Sequence, residues 1–396
     1  MIIKQACKYE LRPKAGQERL MRRFAGCCRF VWNKALELEK KAYEENGKRL
    51  GYYKLAGMLK EWKKEEETSF LAEAHSQILQ QSLIDLNRAY ENFFAQRARQ
   101  PRYKKKGRHD AFRYPQGFKL DEEHSRIWLP KIGWVRYYNS RPVKGTIKQV
   151  IVSRCAGKWS VSIQTEREEP IHAHPSKSAI GIDMGVARFA TFSDGSFIEP
   201  VNSFRKEEKK LAKLQKELAR KEKYSRNWYK QIVRVQRHHH KIANIRKDFL
   251  HKITTSISKN HAVVVLEDLA VGNMSRSASG TLDAPGKNVS AKSGLNKSIL
   301  DQGWYEFRRQ LAYKMAREGG KLIVVPAQYT SQKCSRCGCV NKDNRKTQAE
   351  FKCIACGFEC NADHNAALNI LAAGQAVTAC GEAPCLVEAE PAQGSS

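Results

Sequence analysis

Four cysteines carry the clearest chemical signal. Cys334-Ser335-Arg336-Cys337-Gly338 and Cys353-Ile354-Ala355-Cys356-Gly357 are two C-x-x-C-G knuckles separated by 15 residues. Two such turns bring four thiolates to one point, and four thiolates close a tetrahedral zinc shell. A shell closed by protein alone leaves no position for chemistry, so one structural Zn2+ is expected. Redox pairs are the competing reading, and the repeated knuckle with its glycine turn favours zinc. Cys339 and Cys360 lie outside the knuckle pattern, and Cys380 and Cys385 are assigned no metal. Lys333, Arg336, Lys342, Arg345, Lys346 and Lys352 give this segment a basic surface.

A second set consists of acids. Asp183, Glu267 and Asp363 each stand at the edge of a buried element, 84 and 96 residues apart. Hard oxygen donors of this type hold Mg2+ or Mn2+. Two such ions about 4 Å apart can activate a water and stabilise the leaving oxygen of a phosphodiester. Spacing alone leaves a second reading open, since a carboxylate at a strand end also serves as a cap or an ion-pair partner. Asp268 follows Glu267 directly, so on a strand it faces the other way and is left out of the site.

These groups sit in a chain of 396 residues with 71 Lys and Arg against 41 Asp and Glu, a net charge of +30. A surplus that large implies a polyanionic partner, nucleic acid first, and argues against an enzyme of small neutral metabolites. With 41% apolar and 9% aromatic residues the chain can build cores for two or three domains. No signal peptide follows Met1 and no apolar run approaches a membrane span, so a cytoplasmic protein is expected. Clustered cysteines there favour metal over disulfides.

The charge is uneven. Residues 97–113 hold eight basic residues against Asp110, and 205–252 hold seventeen against five acids. In the first stretch Arg102, Lys104, Lys105, Lys106, Arg108 and Arg113 are candidates for phosphate contacts, and Tyr114 for stacking on a base. The second reads as a long helix or helical hairpin. Its His238-His239-His240 run points three ways around a helix, so a shared metal is not expected and solvated or phosphate-facing side chains are.

Periodicity indicates the elements that position these groups. Ile3, Cys7, Tyr9 and Leu11 alternate as one face of a strand, and Leu20, Phe24, Cys27, Val31, Ala35 and Leu38 form a helical stripe. A second helix is expected over about 72–94. Short β runs fill 127–168, and a linker spans 169–178. Buried strands are expected at Ala179–Gly185, at His261–Glu267 and at 321–325, with a hairpin turning at Asp194-Gly195. The Ser- and Gly-rich stretch 274–298 reads as a mobile loop, and about 299–318 as one helix. Strand, hairpin, helix, strand, helix, strand is an α/β order around one sheet.

Gly181-Ile182-Asp183-Met184-Gly185, Leu266-Glu267-Asp268-Leu269 and Asn361-Ala362-Asp363-His364-Asn365-Ala366-Ala367, with the four-cysteine segment just before the last, resemble the three RuvC motifs of the TnpB family. These insertion-sequence proteins are similar to the compact type V CRISPR effector nucleases. The likeness takes in Phe112-Arg113-Tyr114-Pro115-Gln116 and the Arg141-Pro142 turn, and covers the chain to about Ala373. It implies an RNase H-like (RuvC) nuclease domain with an inserted zinc ribbon, and an N-terminal wedge β-barrel interrupted by a helical recognition lobe. The implied boundaries are 1–14 and 111–174 for the barrel, 15–110 for the recognition domain, 175–328 and 361–373 for the nuclease domain, 329–360 for the ribbon and 374–396 for a flexible tail.

The same resemblance implies an RNA-guided endonuclease of a transposable element. Its partners would be a guide RNA from the element's end and double-stranded target DNA beside a short adjacent motif, with one chain per RNA and no membrane. Asp183, Glu267 and Asp363 match the family's metal-binding acids, for two Mg2+ or Mn2+ ions. Gln80 and Gln81 are candidates for reading the adjacent motif, and the 274–298 loop for a lid ordered by the heteroduplex. Other classes stay in view: an RNA-guided repressor that binds without cutting, which would lose one or more of the acids, and a transposase that joins DNA strands.

Overall fold

A computed structural model describes residues 1–379 apart from 109, 171 and 282. The expectations for Cys380, Cys385 and most of the tail fall outside the described residues. Two compact units divide after Glu169, five residues before the expected end of the barrel segment.

The first unit begins with strand β1 (Ile2–Arg12), whose Ile3, Cys7, Tyr9 and Leu11 are buried on one face as the alternation requires. Helix α1 (Ala15–Asn46), helix α2 (Gly51–Trp62), a 3-10 segment (Glu66–Glu73) and helix α3 (Ser76–Phe94) follow. Helix α2 has no counterpart in the sequence reading, its stripe being only Leu55, Leu59 and Trp62. Six strands complete the unit: β2 (Ala111–Tyr114), β3 (Lys119–Asp121), β4 (Arg126–Leu129), β5 (Gly133–Tyr137), β6 (Thr146–Cys155) and β7 (Lys158–Glu168). They pair antiparallel in the order β2-β6-β7-β1-β5-β4-β3. Strand β1 joins the two halves of this sheet, with Ile2–Glu10 on β7 and Leu11 and Arg12 on β5. The helices are thus inserted between β1 and β2. Their stripes, Phe24 and Val31 of α1 with Leu79 and Leu83 of α3, share one core with Phe112 and Tyr114.

The second unit is built on strands β8 (Ala179–Asp183), β9 (Ala190–Phe192) and β10 (Phe197–Ile198). The β9–β10 hairpin turns at Asp194-Gly195, where Gly195 takes φ +88°. Helices α4 (Ser203–Ala219) and α5 (Arg226–Asn260) make a hairpin, followed by strand β11 (Val263–Glu267). Helices α6 (Val271–Met274), α7 (Val289–Gln302) and α8 (Trp304–Arg317) lead to strand β12 (Lys321–Val325). The sheet order is β10-β9-β8-β11-β12, with β9 antiparallel to β8 and β11 parallel to both β8 and β12. Strands β13 (Glu350–Lys352) and β14 (Glu359–Asn361) form a hairpin, and helix α9 (Ala362–Ala379) ends the described chain.

Strand β11 is buried on both faces, as its unbroken apolar run demands. Val264 and Leu266 face the layer holding Leu250, Phe307 and Leu311, while Val265 packs with Ile323, Val325 and Ile370 of α9. Among the described residues no helix is long and apolar enough to cross a membrane.

Several expectations need correction. The 274–298 stretch is not one loop, because Met274 ends α6 and α7 begins at Val289. The single helix over 299–318 is two, broken at Gly303, whose φ of +74° no helix interior accepts. The tail does not begin at 374: α9 runs to Ala379, and Gly374 seats the helix so closely on Val265 that a Cβ there would lie 2.5 Å from it. His238 is buried, with Nε2 3.1 Å from the Glu207 carboxylate, and zips α5 to α4 instead of facing phosphate.

Candidate active site

Strand alternation brings the acids together. Leu266 is level with Ile182 across the parallel β8–β11 ladder, so Asp183 and Glu267 stand side by side at the carboxyl ends of the two strands. Asp183 shares its face with Gly181, and Glu267 with Val265, the face that α9 covers. The approach is tight: a Cβ at Gly181 would lie 2.3 Å from the Ala367 carbonyl oxygen. Only glycine lets α9 lie this deep, which carries Asp363, in its first turn, to the two strand ends.

Electrostatics report the same convergence. Burial pushes the Asp183 carboxyl up to about 7, with Glu267 and then Asp363 adding to the rise and Arg345 opposing it. Burial also raises Glu267, which is 7% exposed, against the pull of a hydrogen bond from Thr330. Three carboxylates with one nearby guanidinium are under-compensated, even in a chain of net charge +30. A divalent cation relieves that imbalance, and the donors are the hard oxygens such a cation takes. The residues therefore fit a divalent metal.

Four residues to which the sequence reading gave no part in the acid site hold this arrangement. Thr330 Oγ1 donates to Glu267 Oε1 at 2.5 Å. Arg345 Nη2 lies 3.3 Å from Asp363 Oδ1 and also donates to the Gln348 carbonyl at 2.8 Å. Asn365 Nδ2 donates to the Lys333 carbonyl at 2.8 Å, and its Oδ1 accepts from the Ser335 amide at 3.0 Å. Asn369 Nδ2 donates to the carbonyls of Thr330 and Lys333 at 2.9 and 2.7 Å. The one available signal was Asn365 and Asn369 at i, i+4 in an otherwise Ala- and Leu-rich helix, a polar pair that must find partners when buried. Asp268 pairs with Arg308 of α8 at 2.5 Å, away from the three acids.

The cysteines also meet. Cys334, Cys337, Cys353 and Cys356 have their sulfurs within 4.8 Å of one another, the only such cluster of three or more His, Cys, Asp or Glu ligand atoms among the described residues. Separations of 3.7 Å for Cys334–Cys356 and 3.5 Å for Cys337–Cys353 are too long for disulfides. They match the edge of a tetrahedron with zinc–sulfur bonds of about 2.3 Å. Gly338 and Gly357 take φ of +77° and +69°, and their amides donate to the Cys334 and Cys353 carbonyls, closing each knuckle. Cys339 and Cys360 lie beside this cluster without joining it.

The nucleic-acid candidates divide. Arg102, Lys105, Lys106 and Arg108 are exposed, as is Gln80, with Gln81 half-buried. Tyr114 is 0% exposed and donates its hydroxyl to the Pro130 carbonyl at 2.9 Å, so it belongs to the core and cannot stack on a base. Arg113 is paired with Asp85. Lys104 lies over the Trp32 ring at 3.8 Å, and burial lowers its pKa. The alternation of basic and aromatic residues arose here from a strand with one buried face.

Three family models match the chain: a probable transposase, OrfB of IS605, over residues 162–278; a Cas12f1-like TNB domain over 304–370; and a helix-turn-helix domain of OrfB over 1–48. InsQ of Escherichia coli (strain K12), which carries the name of an RNA-guided DNA endonuclease, is 59% identical over 96% of this chain and 94% of its own. A protein of Streptomyces pristinaespiralis with the same kind of name is 37% identical over 96% of this chain and 92% of its own. Among solved structures, the Cas12f1 chain in a complex with sgRNA and target DNA shares the fold with a TM-score of 0.57, at 13% identity, over 93% of this chain and 98% of that one.

Proposed function

Because the chain belongs to the TnpB family of insertion-sequence proteins, we propose that it is an RNA-guided DNA endonuclease whose cutting site is the carboxylate cluster of β8, β11 and α9. The single observation that carries the site is that Asp183 and Glu267 end neighbouring parallel strands, with Asp363 in the first turn of the helix that covers them. Guide RNA and target DNA are its partners, as the names of its relatives indicate. Sequence choice is left to base pairing, and the protein grips phosphate backbones, which a net charge of +30 suits.

In this reading Asp183, Glu267 and Asp363 hold divalent metal, Mg2+ or Mn2+, in an RNase H-like (RuvC) domain. Held by these carboxylates, a pair of such ions would supply activation of a water and neutralisation of charge at the leaving oxygen of a phosphodiester. The chain's own part is orientation. Thr330 fixes the rotamer of the Glu267 carboxylate, Arg345 holds that of Asp363, and α9 sets how near Asp363 stands to the two strand ends. Cys334, Cys337, Cys353 and Cys356 hold one structural zinc that shapes the loop carrying Arg345. The seven-stranded sheet of the first unit serves as the wedge and its inserted helices as the recognition lobe. Gln80 and Gln81 remain candidates for reading the adjacent motif, and the protein works in the bacterial cytoplasm.

The test is purified protein carrying RNA from the element's end, incubated with Mg2+ and a plasmid library randomised beside the target. Double-strand breaks next to one short motif are expected, and Asp183→Ala should abolish them while the RNA stays bound. Binding without breaks would make the protein a repressor, and joined strands a transposase.

A further inference from the structure

The α4–α5 hairpin ends in a cluster that neither metal site uses. Its tip carries Arg220, Lys221, Lys223, Arg226 and Lys230, all exposed, against one acid, Glu222. Among them stand Tyr224, 72% exposed, Trp228, half-buried, and Tyr229, 53% exposed. Their rings form one group: Tyr224 and Trp228 have centroids 5.5 Å apart at 57°, and Trp228 and Tyr229 5.1 Å apart at 80°. Tilted and edge-on packing of this kind supports the tyrosines from Trp228 and leaves ring faces open to solvent.

The backbone adds an independent observation. Tyr224 takes φ +68°, a left-handed conformation that glycine or asparagine adopts with far less cost. Such positions persist where the surroundings impose them, and they collect at binding sites. Here Ser225 caps α5 by accepting from the Trp228 amide at 3.1 Å, and the Ser225 amide donates to the Glu222 carbonyl at 3.3 Å. The turn thus spends strain to hold a large aromatic ring outward, where burial gives nothing back. Leu211 is the last buried residue of α4 before the turn, and across the turn Gln231 of α5 donates to the Leu214 carbonyl and the Glu217 carboxylate, both at 3.0 Å. The tip itself packs on no core.

We propose that Tyr224, Trp228 and Tyr229 at this tip form a stacking site for one or two unpaired nucleotides, with the five surrounding cations holding their phosphates. Exposed rings among cations are what single strands require, since an unpaired base offers its π-face while the faces of duplex bases are covered by their stacked neighbours. A basic protein surface has no use for rings, and an apolar protein partner no use for five cations. That the nucleotides come from the guide RNA or from a separated DNA strand rests on the function proposed above; that the tip takes unpaired nucleotides does not.

The test uses the full chain with two single-stranded probes, an oligouridine containing 4-thiouridine and an oligothymidine containing 5-iododeoxyuridine, cross-linked by light and mapped by mass spectrometry. Adducts on Tyr224, Trp228 or Tyr229 are expected, and the probe that gives them tells RNA from DNA. A Tyr224→Ala/Tyr229→Ala double variant should bind that probe about tenfold more weakly, with an unchanged salt dependence because no charge is lost. Tyr224→Phe/Tyr229→Phe should bind as the parent does, and a duplex probe should not distinguish the three proteins. Adducts confined to other segments, or equal affinity in the alanine variant, would overturn the proposal. Plasmid cleavage, assayed separately, reports on the endonuclease reading and not on this site.

Discussion

The Thr330 hydroxyl donates to Glu267 Oε1 at 2.5 Å across 63 residues of sequence, and the carbonyl of the same threonine accepts from Asn369 Nδ2 at 2.9 Å. One residue therefore joins the acid at the end of β11 to the helix that carries Asp363. The bond is buried and its acceptor is a carboxylate, so it orients as well as stabilises.

Replacing Thr330 with valine keeps the shape and removes the bond. A hydrogen bond to a charged group contributes about 1.5 kcal/mol or more, so Thr330→Val should cut DNA roughly tenfold more slowly. Thr330→Ser should retain most of the rate, and RNA binding and zinc content should not change in either. Single-turnover cleavage measures this. A valine variant cutting at the parental rate would remove the threonine from the site.

Asp183 gives the metal-free protein a pH-dependent weakness. Its carboxyl holds a proton to about 7 when folded and to about 3.8 when not. The folded state thus binds more protons between those values, and the stability associated with that proton is lost as pH rises through the window. Asp183→Asn cannot ionise, so in EDTA it should match the parent near pH 4 and exceed it at pH 8, by about 4 kcal/mol. Added Mg2+ should raise the parent's melting temperature and leave that of the variant where it was. Equal stability of the two proteins at pH 8 in EDTA would mean that burial beside Glu267 and Asp363 does not hold the proton on Asp183.

The zinc prediction is stoichiometric. The purified protein should carry one zinc per chain by elemental analysis, and Cys353→Ser should lose it. Arg345, Asn365 and Asn369 couple that loop to α9. The same substitution should therefore slow cleavage although no cysteine approaches the acids. Full activity in a zinc-free variant would separate the knuckles from the cutting site.

Packing depth supplies a fourth test. With the Ala367 carbonyl 2.3 Å and the Leu371 amide 2.7 Å from a Cβ built at Gly181, Gly181→Ala must push α9 off the sheet. A loss of about 3 kcal/mol in urea unfolding is expected, together with loss of cleavage. Gly57→Ala, on α2 with nothing within 4 Å of its Cβ, is the control and should be neutral or mildly stabilising.

How much of this was legible in the sequence varied with the range of the interaction. The strand at Ile3–Leu11, the stripe from Phe24 to Ala35 and the turn at Asp194-Gly195 are local patterns, and each stands where its periodicity or turn chemistry put it. Helix α7 was hidden because Ser290, Ser293, Gly294 and Asn296 interrupt it, and only Ile299, Asp301 and Gln302 at its end are buried. Tyr114 misled for the opposite reason: aromatic residues alternating with basic ones describe an exposed stacking surface and a half-buried strand equally well, and only burial separates them.

The sequence by itself determined which residues are candidates for carrying chemistry. Thiolates in knuckle spacing favour metal over redox pairing, and the apolar runs ending in Asp183 and Glu267 read as buried strands with acids at their ends. Only the tertiary structure decided that those ends lie side by side, that glycine at 181 lets α9 bring Asp363 to them, and that Thr330 and Arg345 hold the oxygens in place. Those relations depend on strand order and helix depth. Both are set by packing between segments far apart in the chain, and no local pattern records them.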